Sequence, residues 1–359
     1  MIINYKLFYS RNLYNFFLFS SLILFFFSTD HFQTKAFEIK NIEISKPFEM
    51  NFNKNDVIDE GFRKSFSEML SLIVNSSDKK KITRIKLNQI KGMIESFTIK
   101  EEKFIDEVYY MNLGVTFNRK KVFKYLNEKN IFPSIPLKKK FLFIPIIINE
   151  EKQDLLIFSD NRIYKEWKNY IKTYDLIKYV MPTEDLEDFN IIKKNYENLE
   201  EYDFREITDK YFLDKSIISL IFKNKKDIRV LSRITIKDKV ILKNKTFSDI
   251  NLKNDDEFEF LVNQLKTVYE DYWKNHNQIN TSIKLPLIIK LQNLNSVEIS
   301  KFEKVLIDTD LIYEFKISKF NKDSISYRII YNGTPNSFLK VMSEKDYFFN
   351  TDNKVWILK

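Results

Sequence analysis

The sequence predicts a mixed α/β (α+β) protein in three successive units: a small αβ unit, an α/β middle unit and a ferredoxin-like βαββαβ unit. Three observations carry this expectation. The apolar period switches repeatedly between about 3.6 and 2 along the chain. Residues 131–140, with Pro133, Pro136 and three lysines, read as a linker, and a polar break at 275–280 interrupts the pattern again. The residues after the second break, 281–359, repeat strand, helix, strand, strand, helix, strand on their own. The expected boundaries are 37–137, 138–276 and 281–359, preceded by a leader over 1–36.

In the first unit Phe37 and Ile39, then Ile42 and Ile44 displaced by one, read as a bulged strand ended near Pro47. Ile58, Phe62, Phe66, Met69, Leu70 and Ile73 form one helical face. Ile82, Ile85, Ile90, Met93, Ile94 and Phe97 read as a second. Tyr109, Met111, Leu113, Val115 and Phe117 alternate strictly, as a half-buried strand does, and Glu101 to Ile105 is its hairpin partner across a turn at Asp106-Glu107. Asn118 can cap a closing helix that turns Val122, Phe123 and Leu126 inward.

The middle unit opens with the apolar run Phe141 to Ile148, then a short strand over Leu155 to Phe158. Asp160 or Asn161 can start a helix carrying Tyr164, Trp167 and Ile171. Ile177 to Met181 reads as a strand and Asp203 to Phe212 as a short helix. Ile217 to Phe222, Ile228 to Ile236 and Lys239 to Leu242 form a meander. Phe258, Leu261, Val262, Leu265, Val268, Tyr269 and Tyr272 give the longest helical stripe. In the last unit Asn295 with Glu298 has the spacing of a capping box, and strands are expected over 285–291, 311–318, 324–331 and 355–358.

The first forty residues differ in kind. Lys6 and Arg11 precede an apolar and serine run from Phe16 to Phe27, with no acid before Asp30. Such a run rises only about 18 Å as a helix, short of a hydrocarbon core of about 30 Å, so it reads as a secretory signal. Thr34-Lys35-Ala36 offers small residues for signal peptidase and places a mature start at Phe37. Export across a bacterial inner membrane into the periplasm is the expectation. The alternative is an uncleaved anchor that leaves the same body outside, with membrane contact through that segment alone.

The 359 residues include no cysteine, which removes disulfides, thiolate nucleophiles, cysteine-bound metals and lipoprotein acylation. The formal charge is +9. Removing residues 1–36 takes away Lys6, Arg11 and Lys35 but only Asp30, leaving about +7. Lysine, asparagine, isoleucine and phenylalanine are abundant together, as a low-GC bacterial codon bias produces, so the charge is not read as a nucleic-acid footprint.

The histidines are His31, in the leader, and His276, which alone builds no metal site. Gly61, Gly92, Gly114 and Gly333 lie too far apart to cradle a phosphate. Paired carboxylates occur at Glu184, Asp185, Glu187 and Asp188 and at Asp255, Asp256 and Glu257. A hydrolase needs two such groups about 5 to 10 Å apart in a cleft, whereas each cluster here falls at a helix start, where acids complement the dipole. Asn161, Trp167 and Tyr170 could present a partner or sugar platform, but Trp167 shares a stripe with Tyr164 and Ile171 and is read as core. No catalytic, cofactor-binding or metal-binding residue is therefore named.

Gly61-Phe62-Arg63-Lys64-Ser65-Phe66, the segment from Ile94 to Phe117, Phe141-Leu142-Phe143-Ile144-Pro145 and the stretch from Asn161 to Trp167 together resemble the proteobacterial envelope proteins grouped as the domain of unknown function 2066 family. The resemblance covers residues 37 to 275, and the terminal unit resembles the end of the longer members. It implies an exported envelope protein and no assigned reaction. The first unit also resembles small modules of flagellar-base and outer-membrane assembly proteins. The functional expectation is a non-enzymatic interaction or assembly module whose partners are other envelope proteins; a carboxylate-based envelope hydrolase is the rival.

Overall fold

The computed structural model describes residues 36–237, 239–292, 295–309 and 311–359, so the leader expectation lies outside the described residues up to Lys35. The protein is a mixed α+β structure built on three separate sheets.

The first sheet has the order β1-β3-β2 and is antiparallel throughout: β1 Ala36–Pro47, β2 Ile94–Ile105 and β3 Val108–Asn118. The bulge expected in β1 lies between Ile39 and Ile42. It returns Ile42 and Ile44 to the face already occupied by Phe37 and Ile39, and all four are buried. Helix α1, Lys54–Ile73, lays Phe62, Phe66, Met69 and Ile73 across that face. It crosses closest at Gly61, where a Cβ would stand 2.7 Å from Leu113 Cδ2.

The second helical face is overturned in part. The chain forms α2, Ser76–Lys79, a 3₁₀ turn over Lys80–Ile82 and α3, Leu87–Met93, then turns extended. Ile94 and Phe97 belong to β2, which is far longer than the hairpin partner expected. In Ile94-Glu95-Ser96-Phe97-Thr98-Ile99 the β-branched and aromatic residues pair with β3, and tertiary pairing overrides the helical spacing. Asp106 and Glu107 make the tight turn with φ of 49° and 59°. Helix α4, Arg119–Glu128, closes the unit, with Asn118 Oδ1 accepting from the Lys121 amide.

The middle sheet runs β5-β4-β7-β8-β9, with β6 also beside β4: β4 Lys139–Asn149, β5 Asp154–Leu156, β6 Ile177–Val180, β7 Lys215–Asn224, β8 Asp227–Ile236 and β9 Lys239–Phe247. Strands β4 and β7 are parallel neighbours, and β7-β8-β9 is the expected meander. Both faces are covered. The face bearing Phe141, Phe143, Ile217 and Ile234 packs on α5, Arg162–Glu166, and on α8, Asp255–His276. The face bearing Leu142, Ile144, Ile218 and Leu220 packs on α6, Leu186–Lys194, and α7, Arg205–Thr208. The near-continuous burial of β4 follows from this double cover.

One expectation for this region fails. Helix α5 gives way after Glu166 to a 3₁₀ turn over Trp167–Tyr170. Three residues per turn rotate the stripe away, so Ile171 is exposed rather than inward. The stretch 131–140, read as a linker, is anchored at Ile131 and Ser134, which are buried. Ser134 is buried and donates from its amide to Ile73 O at 2.8 Å, the Ile279 amide donates to Pro133 O at 2.7 Å, and Ile131 and Ile279 join the first core.

In the last unit β10 Leu285–Gln292, α9 Ser296–Ile307, β11 Ile312–Asn321, β12 Ser324–Tyr331 and α10 Pro335–Ser343 follow the expected order, with β12 between β10 and β11. The closing strand departs from a strict ferredoxin-like sheet. A short β13, Phe349–Asn350, takes the outer edge and turns back into β14, Val355–Leu358, which runs parallel to β10. Among the described residues no helix is long and apolar enough to cross a membrane.

Candidate functional site

Helix α8 carries two stripes. Phe258, Leu261, Leu265, Tyr269 and Trp273 face the sheet. Beside them, at helical spacing, run Asn263, Lys266, Thr267, Glu270, Asp271 and Lys274, which line a cleft of about 240 Å³ against the first unit. Glu68 and Ser71 of α1, Ser76 and Lys79 of α2, and Lys172, Tyr174 and Asp175 of the loop before β6 form the opposite walls.

The charges are woven together. Lys266, 4% exposed, sits with Nζ 2.5 Å from Asp175 Oδ2 and also donates to Tyr170 O. Glu270 accepts from the amides of Leu176 and Ile177, at 3.1 Å and 2.9 Å, and so fixes the start of β6. Asp271 accepts the Ser76 amide at 3.0 Å and its hydroxyl, while Lys274 donates to Val74 O at 3.2 Å. Burial pushes the Glu270 carboxyl above its usual value despite the amides it accepts. Burial, then the neighbouring Lys274 ammonium, lowers Lys79, whose Nζ donates to Ser71 Oγ.

Four lysines and four carboxylates line this cleft, so its formal charge balances. The bonds made by Lys266, Glu270, Asp271 and Lys274 tie α8 to the first unit and to the loop before β6. The cleft is a polar joint.

The residues singled out from sequence sit elsewhere. Asn161 is buried as the N-cap of α5. Its Oδ1 accepts the Ile163 amide at 2.8 Å and its Nδ2 donates to Pro145 O at 3.0 Å, locking the helix to β4. Trp167 is fully buried among Phe143, Tyr179 and Tyr269, so it presents no platform. Tyr170 stacks edge-on against Phe258.

Asp185 caps α6, while Asp188 and Glu187 pair with Lys210 at 2.8 Å and 3.2 Å. Asp255 pairs with Arg162 at 2.5 Å, and Glu257 accepts the Asn251 amide. Both clusters therefore sit at helix starts and are engaged in holding them. His276 ends α8, exposed and stacked on Trp273. Among the described residues no group of three or more histidines and carboxylates is arranged to hold a metal ion.

Ala36 and Phe37 open β1, paired with Asn118 and Phe117. The Phe37 ring packs 5.7 Å from Phe123 and lies under the Arg119 guanidinium.

The sequence reading missed Lys266, Glu270 and Lys274. Their spacing of four was legible, but on a helix it reads equally as a solvated face, and only the packing of the first unit distinguishes the two. Comparisons with protein-family models and with curated proteins give no match.

Proposed function

We propose that the protein is exported to the periplasm, loses its leader after Ala36, and works there as a non-enzymatic interaction or assembly module for other envelope proteins. One observation carries the interaction reading: among the described residues no strand pairs with the outer edge of β2. Strand β2 is twelve residues long and pairs with β3 on one side only. Its unpaired backbone groups can accept an extended segment of a partner chain as a fourth strand.

Apolar side chains flank that edge. Phe104 is 58% exposed, Ile105 and Phe97 are exposed, and Phe48 stacks 4.9 Å from Phe104 and 4.8 Å from Phe52. An exposed aromatic group beside an open edge has the make-up of an interface anchor. Lys100 and Lys103, on the same strand, guard it against indiscriminate pairing.

The basic start, apolar run and Thr34-Lys35-Ala36 of the expected leader favour an envelope location. The test is a photo-reactive amino acid placed at Thr98 or Phe104 in living cells, with Lys301 on α9 as the control position. The proposal expects a discrete crosslinked partner from Thr98 and Phe104 and none from Lys301. Equal, diffuse labelling from all three positions would overturn it.

A further inference from the structure

Resting on the reading of the β2 edge as an interaction surface, we propose that its first occupant is a second copy of this chain. The two β2 strands pair antiparallel about a twofold axis that passes between Lys100 and Glu101.

The occupant follows from a change of phase along β2. Before Lys100, Phe97 and Ile99 lie opposite Val115 and Leu113 of β3, which are buried in the first core. After it, Glu102 and Phe104 lie opposite Met111 and Tyr109 and take that same face, so even positions replace odd ones. The register shift between Ile99 and Glu101 leaves Lys100 as the extra residue. A regular strand added to this edge alternates without interruption and therefore matches faces along only one half of β2. A strand with the same change of phase matches both halves. A second copy of β2 has that change, and the twofold axis sets the two bulges against each other.

This axis places Phe97 opposite the second copy's Phe104, Thr98 opposite its Lys103, Ile99 opposite its Glu102 and Lys100 opposite its Glu101. Symmetry repeats each pair, giving two aromatic pairs and two pairs of opposite charge. Phe97 and Phe104 are 46% and 58% exposed, so each brings apolar surface for the second copy to cover. Glu102 keeps its own Lys54 at 2.5 Å. A register shifted by one residue sets core-facing positions against outward-facing ones. A shift of two sets Lys100 against Lys103 and Glu101 against Glu102, or, in the other direction, Phe97 against Glu102.

Lys100 donates to Asn41 Oδ1 at 2.8 Å, and Glu101 pairs with Lys103 at 2.6 Å. Both bonds are exposed, where an exchange of partners costs little. The dimer joins two three-stranded sheets into one and covers the edge. Another envelope protein then binds there by displacing one copy.

The test is sedimentation velocity on the purified native protein and on Lys100→Glu, Glu101→Lys and the double exchange Lys100→Glu/Glu101→Lys. We expect a dimer whose dissociation constant rises at least about tenfold in either single variant and falls back in the double exchange. Because the chain has no cysteine, introduced thiols report the register without background. An oxidised mixture of the Thr98→Cys and Lys103→Cys proteins should give a covalent dimer that neither protein gives alone. A monomer at about 100 μM, a dimer indifferent to the charge changes, or a covalent dimer from Thr98→Cys alone would overturn the proposal. A monomer in solution together with a discrete partner crosslinked at Thr98 or Phe104 in cells would remove the second copy and leave the edge as a site for another protein. Diffuse labelling in cells would remove the edge itself.

Discussion

Lys274 Nζ donates to the Val74 carbonyl at 3.2 Å, joining residues 200 apart in the chain. Both are buried, so the bond ties the end of α1 to α8 without competition from water. Asn75 Nδ2 adds a second link at 2.6 Å to Asn275 Oδ1. Replacing Lys274 by methionine keeps the stem and removes the donor. The expected cost is about 1 to 3 kcal/mol, appropriate to a buried carbonyl left unpaired. Hydrogen exchange should quicken at Ser76 to Lys79 before the sheets are affected. Unchanged exchange there would show that the joint does not depend on this bond.

The same cleft predicts a pH dependence. Glu270 is held above its usual 4.5 by burial, with Asp175 raising it further and Lys274 and the two amides opposing. An acid with a raised native pKa binds its proton more tightly folded than unfolded. Its contribution to stability is therefore greatest below 4.5 and declines as pH rises through the native value. Glu270→Gln mimics the protonated form. Urea midpoints of the two proteins, compared from about pH 4 to about pH 7, should diverge in favour of the variant as pH rises. Parallel profiles would contradict this assignment.

The β2–β3 turn stores strain that can be relieved. Asp106 and Glu107 both lie in the left-handed region, where Asn-Gly is the favoured pair. Changing Asp106→Asn and Glu107→Gly should stabilise the hairpin by about 1 kcal/mol, read as a higher melting temperature of the first unit. A lower one would mean that the turn side chains support the structure in another way.

Trp167 fills the middle core with no exposed surface, and its Nε1 has no hydrogen-bond partner among the described residues. Trp167→Ala should cost about 3 to 5 kcal/mol by opening a cavity. Trp167→Phe should cost clearly less, because no hydrogen bond is lost. Equal costs, measured by denaturant unfolding, would argue for a polar role.

Much of the fold was legible where one face of an element is buried. The β1 bulge at Ile39/Ile42, the alternation in β3 and the apolar stripe of α8 each report a single packing surface. Asparagine caps were legible too, at Asn118, Asn161 and Asn295. Ile94 and Phe97 misled because isoleucine and phenylalanine at helical spacing also suit an edge strand, and the choice is made by pairing with β3. The parallel placement of β14 depends on the two-residue β13, too short to leave a pattern. The polar joint was not legible. Lys266 and Glu270 resemble any solvated charge until residues far away in the chain are brought against them.

An envelope role requires an exported body that begins at Phe37, and the intact mass of the native protein from fractionated cells tests this directly. A species starting at Phe37 in the periplasmic fraction is the predicted result. A full-length chain in the inner membrane would contradict cleavage after Ala36 and make the protein an anchored one, while a full-length chain in the cytoplasm would contradict export itself.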